Sequence, residues 1–444
     1  MPIPYHRAVE IARRLSRGDD ISRLRHTLAP KLPAERPIPP CVPGKNDTSE
    51  AATEERIRFL EDMAGPLPHL AGRGKVPKAA ELEGNIENFI GMTCIPTGVI
   101  GPLRINGLHA QGDFYVPLAT SEGALVASYS RGARIITLAG GAACLTTVEQ
   151  VQRAPGFAFD TMADAIHFAA WVVGEFDRLR EVAERGTRHG RLVNMRVQPQ
   201  ANLVYLILDF HPGDAAGQNM VTFASAALCA DIMERSPVTP RYWVIESNMS
   251  GDKKATALSF FDTRGRHSTA EIVLPRDLVE SRLRTTPSRI AEYWRMSFVG
   301  GVQTGSIGGN GQVANAVAAL FLACGQDVAC VSEASVALNR MEVTDDGDLY
   351  VCVTLPSLIL GSVGGGTRLP TATEALRILG CVGEGGAAKL AEITAALALA
   401  GEISIAGAMC SGEFAQAHRR LGRPPKTVPA GAAAANGGED GGHG

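Results

Sequence analysis

The chain has 444 residues, 45% hydrophobic and 20% charged, with a formal net charge of −3. That length exceeds one ordinary core, so two or three globular domains are expected. The near-neutral balance excludes a strongly basic nucleic-acid binder or a protein that coats an acidic membrane, and leaves small molecules as ligands.

Residues 1–82 alternate short helical patterns with proline-rich connections (Pro33, Pro37, Pro39, Pro40, Pro43), which predicts a small helical arm. Its first pattern, Ala8 to Leu15, is charged, so no signal peptide is expected there. The composition changes at Glu83 to Gly91, and an apolar, Gly- and Pro-punctuated segment through Leu103 predicts short strands or extended backbone. Long Ala/Gly-rich helices are expected at 124–139, 312–324, 328–340 and 387–408. Small residues let helices approach closely, so 83–153 and 248–424 predict one large, discontinuous helical domain. Between its halves, residues 154–247 read as strand 157–159, helix 161–185, strands 191–198 and 202–210, helix 218–234 and strand 241–246. That βαββαβ order predicts a ferredoxin-like insert, and the fold class is α+β. Residues 425–444, ending in the Ala/Gly-rich run from Ala430, predict a disordered tail.

The apolar stretches at 313–324 and 390–410 are too short or carry Glu402, so no membrane span is expected. The nine cysteines form no C-x-x-C and no zinc-type spacing, which predicts reduced core thiols, no metal and a cytoplasmic protein.

Four solitary charges stand out. Lysine makes up eight of the 43 basic residues, and between Lys78 and Lys389 only the neighbours Lys253 and Lys254 occur. Two surface lysines beside Asp252 would be the ordinary explanation; a compact ammonium aimed at a developing oxyanion is the chemical one. Glu122 is the sole charge between Asp113 and Arg131; with Ser121 as N-cap it would lie in a first helical turn. Asp327 is alone between Arg295 and Glu333 in segments apolar enough for burial, so it needs a cationic partner or must be protonated; such a partner has to come from elsewhere in the fold, and Lys253 is the candidate. His418 ends the last helical pattern, where it reads either as a helix C-terminal cation or as a proton donor.

Two glycine-rich segments suit phosphate. Gly309 to Ala314 has the form G-x-G-x-x-A with Glu333 at a ribose-like distance, but no buried strand precedes it, so it reads as a decoy. Gly213-Asp214-Ala215-Ala216-Gly217-Gln218-Asn219-Met220 leaves a strand and opens a helix, where free N–H groups make an anion site. Thr187-Arg188, at a junction of the same unit, would reach a ribose phosphate and favour NADPH.

In this order these segments resemble the HMG-CoA reductase family over roughly residues 83–423. The matches are Glu87 to Gly91 with Pro96 to Leu103, Ser121-Glu122-Gly123 with Ala124 to Gly132, Gly213-Asp214 with Asn219-Met220, Asp252-Lys253-Lys254, Gly325-Gln326-Asp327, Gly361 to Gly366, and Leu399 to Ser404 leading to His418. The resemblance implies a large domain that binds the CoA thioester, an inserted NADP-binding domain, and a homodimer or higher even oligomer with active sites at the interface. It implies reduction of HMG-CoA to mevalonate through hemithioacetal and aldehyde, without the membrane anchor of some members. Carried over by position, Glu122 is the acid, Lys253 stabilises the oxyanion, Asp327 holds Lys253 and raises the pKa of Glu122, and His418 protonates the departing thiolate. Thr187, Arg188, Asp214, Gly217, Asn219 and Met220 fall to the cofactor; Glu87, Asn88, Arg131, Arg153, Asp252, Lys254 and Asn315 fall to the substrate. Several positions depart from the family's pattern. Met296, after Arg295, stands where a lysine is usual; Glu246 replaces a serine; Gln312 replaces a histidine; Ser130 replaces an asparagine. These departures keep open a paralogous reductase for another acyl-CoA, and, from a different class, a non-catalytic CoA or nucleotide sensor.

Overall fold

A computed structural model describes residues 8–9, 12, 21–187, 190–415 and 419. The described part of the arm contains α1 (Ile21–Leu28) and α2 (Glu50–Ala64), the latter capped by the Ser49 hydroxyl on the Ala52 amide. The arm is bolted to the body by Arg104. This fully buried guanidinium pairs with Asp113 at 2.8 Å and donates to the carbonyls of Lys31, Arg36 and Pro37. Burial of an arginine is tolerated because its charge and its fork of donors are both satisfied.

The body is organised on a sheet. Strands β1 (Thr97–Gly107) and β2 (Gln111–Ala119) form an antiparallel hairpin; α3 (Leu125–Leu138) then returns the chain to β3 (Ala142–Arg153), parallel to β1. The next unit runs β4 (Gly156–Ala158), α4 (Met162–Gly174), α5 (Phe176–Glu184), β5 (Arg191–Gln200), β6 (Leu203–His211), α6 (Gln218–Arg235) and β7 (Tyr242–Val244). Its strands lie in the order β7-β4-β6-β5, all antiparallel, which is ferredoxin-like. The expected helix over 161–185 is two helices that meet at Glu175. After it come β8 (Gly265–Leu274), α7 (Arg276–Leu283), α8 (Pro287–Gln303), α9 (Val313–Ala323), the short α10 (Val331–Ala334), β9 (Leu338–Val343), β10 (Leu349–Leu358), α11 (Pro370–Ile378) and α12 (Gly386–Ser411). Strand β3 joins the two sheets: its first part pairs with β8, and Val151–Arg153 pair with β6.

The helix expected over 328–340 does not form. Asp327 caps only a tight turn, α10 ends at Ala334, and 338–343 pairs with β10 as an edge strand. Local helix propensity there yields to the ladder that β10 offers.

At the centre lies α12, with 83% of its most apolar 18-residue window buried within the fold. It is long and apolar enough to cross a membrane, but here it is a core helix. Its small residues serve contact with α3: a Cβ on Gly132 would lie 1.9 Å from the Ala400 carbonyl oxygen, and one on Gly401 would lie 2.5 Å from the Tyr129 ring. Two buried acids on the same helix satisfy backbone at its sides. Glu392 accepts from His109 and Ala110 at the β1–β2 turn, and Glu402 accepts from Gly311 and Gln312. Seven of the cysteines are buried or half-buried and two, Cys41 and Cys94, are exposed; all are free thiols.

Candidate active site

The loop after β7, residues 246–254, turns on three left-handed residues, Asn248 (φ +66°), Gly251 (φ +70°) and Lys253 (φ +56°). Two of these carry side chains that disfavour that region, so the loop is held by its contacts. Glu246 supplies several of them: its carboxylate accepts from the Asn248 and Ala154 amides and from the Ser250 hydroxyl. The Lys253 amide donates to Glu333 at 3.2 Å, and its ammonium reaches Asp327 at 2.8 Å.

Asp327 sits at the start of the turn after α9, with its other oxygen on the Ala329 amide. Burial alone would raise its pKa, but the Lys253 hydrogen bond and charge outweigh it and hold the carboxyl below its ordinary range. Lys253 is correspondingly raised, first by its hydrogen bond to Asp327. Contrary to the expectation of burial for Asp327, its side chain is half-exposed at 39%, beside a Lys253 side chain at 40%.

Behind this pair is a largely buried lattice of charge. Arg264 bonds Glu333 at 2.6 Å and Asp252 at 2.7 Å, with Arg264 and Glu333 almost wholly buried. Asp252 also bonds Arg153 at 3.0 Å, and Arg153 meets Glu246 at 3.4 Å. Asp252 and Arg153 are therefore brought together with Lys253, while Lys254 turns its ammonium back onto the Asp252 carbonyl. Cys330 lies at the same place, but burial pushes its thiol up to about 12, so it is no nucleophile at neutral pH.

The anion segment adjoins this lattice. Gly217 (φ +79°) precedes α6, and a Cβ there would lie 2.8 Å from Pro212. The helix has no capping side chain, and the amides of Gln218, Asn219 and Met220 make no hydrogen bond among the described residues. Free first-turn amides in a glycine cradle fit a phosphate. A Cβ on Gly190 would lie 2.4 Å from Met220 and 2.9 Å from the Thr187 hydroxyl, so the Thr187 turn adjoins the same helix start. Arg188 lies outside the described residues. The Asp214 carboxylate is engaged elsewhere, on the Gly385 and Ala387 amides at the start of α12. In the decoy segment the Gly311 and Gln312 amides are filled by Glu402, and Glu333 belongs to Arg264; neither is left for a nucleotide.

Glu122 is not in a helical turn. It lies on the exposed loop between β2 and α3, whose N-cap is Ala124, with its amide on the Thr120 hydroxyl and no carboxylate partner among the described residues. Glu87 and Asn88 (φ +51°) are exposed on the segment before β1. Arg131 is tied to Ser404 on α12 and near Glu413, and Asn315 is half-buried on α9 beside Gln312, whose amide bonds the Gly401 carbonyl. Met296 is exposed on α8, in a run with Phe298, Val299 and Val302. His418 lies outside the described residues. Arg264 carries no role in the sequence motifs, and Gln218 appears only inside the anion segment; the signal for Arg264 was a polar residue that follows Thr263 into a buried strand.

A compact cation fixed by an acid, next to a helix start with free amides, is an arrangement that suits carbonyl chemistry with a phosphate-bearing second ligand. The comparisons with known proteins agree. The family model described as hydroxymethylglutaryl-coenzyme A reductase matches residues 52–423. The 3-hydroxy-3-methylglutaryl-coenzyme A reductase of Pyrococcus horikoshii is 44% identical over 386 residues, 85% of this chain and 93% of that one. The enzyme of the same name from Methanocaldococcus jannaschii is 41% identical over 383 residues, 84% of this chain and 94% of that one. Among solved structures, the class II 3-hydroxy-3-methylglutaryl-CoA reductase from Streptococcus pneumoniae bound to NADPH has the same fold, with a TM-score of 0.65 over 83% of this chain and 99% of that one at 19% identity. This chain belongs to the hydroxymethylglutaryl-coenzyme A reductase family.

Proposed function

We propose that the chain reduces 3-hydroxy-3-methylglutaryl-CoA to mevalonate and CoA with two NADPH, in the mevalonate route to isoprenoids. The observation that carries the mechanism is the Lys253 ammonium fixed 2.8 Å from Asp327 on a left-handed backbone. When bound, NADPH supplies hydride. Lys253 faces the oxygen on which charge develops and stabilises it; Asp327 keeps that ammonium charged and aimed. Collapse of the hemithioacetal breaks the C–S bond, and His418 is assigned the proton for the thiolate. A second reduction of the aldehyde leaves an alkoxide, which Glu122 protonates.

Thr187, Arg188 and the amides of Gly217 to Met220 take the cofactor, with Asp214 holding their loop against α12. Arg153, Asp252 and Lys254 take the acyl end; Glu87, Asn88, Arg131 and Asn315 complete the thioester site. The proposed division of the chain is an arm (1–82), a discontinuous thioester domain (83–153 and 248–424) and a cofactor insert (154–247), with the segment 425–444 outside the described residues. A homodimer or higher even oligomer is part of the proposal. It would cover the half-exposed pair and the exposed Ile86, Ile90 and Met92 beside Glu87. A cytoplasmic location fits the nine free thiols. The relatives named above give no support to a different acyl-CoA.

The test is loss of NADPH absorbance on adding HMG-CoA to the purified protein, with the product identified. Two NADPH consumed per mevalonate is the expected result; a folded protein that binds NADPH but oxidises none of it would overturn the proposal.

A further inference from the structure

Gln218, the first residue of α6, touches both halves of the charged lattice. Its Nε2 donates to the Asp327 oxygen that also holds Lys253, at 3.2 Å, and to the Cys330 sulfur at 3.1 Å. Its Oε1 accepts from Arg264 at 3.4 Å, and its carbonyl accepts from Arg153 at 3.3 Å. An amide is the side chain that meets both demands: one end donates to an acid while the other accepts from a guanidinium. Glutamate would set two carboxylates together at Asp327; methionine, of similar length, would leave the Asp327 and Arg264 contacts unmade.

The position is as informative as the bonds. Gln218 follows Gly217, so its own amide is one of the free N–H groups that face the proposed phosphate, while its side chain ends on the acid that aims the ammonium. We propose that Gln218 is a positioning residue for the reduction, a bridge that fixes the Lys253–Asp327 pair relative to the helix start that takes the cofactor. The inference rests on the assignment of Lys253 and Asp327 to the reaction. The charged and titratable groups around Asp327 on this side are Lys253, Arg264, Cys330 and, through Arg264, Asp252 and Glu333. The hydrogen bond from Gln218 helps to keep Asp327 ionised.

The experiment compares wild type, Gln218→Met, Gln218→Glu and Lys253→Met in the full chain, reading kcat, KM for HMG-CoA, the pH profile of kcat and the melting temperature. With Gln218→Met the expected result is a kcat lower by about tenfold with little change in KM, the size of one lost charge-assisted hydrogen bond. The acid limb of the profile should move to higher pH, because Asp327 then protonates more easily; Gln218→Glu should move it further. Wild-type kcat and an unmoved acid limb in Gln218→Met would overturn the bridge. So would a lower kcat that merely follows a lower melting temperature with the profile unchanged, since that is a structural role. If Lys253→Met turns over like wild type, the catalytic assignment beneath the bridge fails instead, and the two failures are told apart in one set of proteins.

Discussion

Replacing Lys253 should separate activity from stability. The Lys253–Asp327 pair is short, 2.8 Å, but each partner keeps about 40% of its surface in solvent, so screening and side-chain entropy leave it worth about 0–1 kcal/mol of folding free energy. In a chain of this size such a loss moves the melting temperature by no more than about 2–4 °C. The same ammonium placed at a developing oxyanion is worth far more in the transition state: removing one preorganised donor costs about 10²–10³ in kcat. Lys253→Met keeps the left-handed backbone no more strained than before, so the ammonium is the variable. Lys253→Arg should recover little, because a planar fork does not take the place of a point donor. The pair is complete at neutral pH: Asp327 is depressed, so its contribution is lost only as pH falls through that lowered value, and Lys253 is raised, so it stays charged above its ordinary value. Steady-state oxidation of NADPH with HMG-CoA, beside a thermal melt, gives both readouts. A Lys253→Met protein with kcat within about threefold of wild type would refute the reasoning.

Glu246→Gln should lower KM for HMG-CoA several-fold at modest cost in kcat: the single amide oxygen can keep the Ala154 and Ser250 bonds, which share one carboxylate oxygen, while the Asn248 bond to the other is given up, and a negative charge 3.4 Å from Arg153 is withdrawn; an unchanged or higher KM would count against Arg153 as the acyl-end cation. Glu392→Gln should flatten the pH dependence of stability. Burial raises the Glu392 carboxyl to about 7 from an ordinary 4.5, so wild type is favoured below 4.5 and loses on the order of 3 kcal/mol by pH 7, and denaturant midpoints that track each other across this window in the two proteins would contradict the assignment.

The ferredoxin-like unit was legible because its signals are local. Its strands alternate, its helices are periodic, and its elements follow one another with short turns, so the βαββαβ order is legible even where Glu175 splits a helix. The Asp-Lys-Lys segment and the Gly213–Met220 helix start are likewise contiguous, and the first lysine's partner could be guessed from charge scarcity alone. The segment 328–340 departs from its helical pattern for the opposite reason: the strand character of 338–343 comes from β10, which follows it in sequence and can reward it only once folded.

The sequence by itself determined the family, the order of the units and the residue types available for carbonyl chemistry. Tertiary structure alone decided how they are used. That Asp327 is half-exposed, that Glu122 stands on a loop, that Arg264 ties Asp252 to Glu333, and that Gln218 reaches Asp327 are facts about residues up to 109 positions apart. Ion pairs and hydrogen bonds act over a few ångströms, and the chain brings such distant positions within that range only by closing β3 across both sheets around α12.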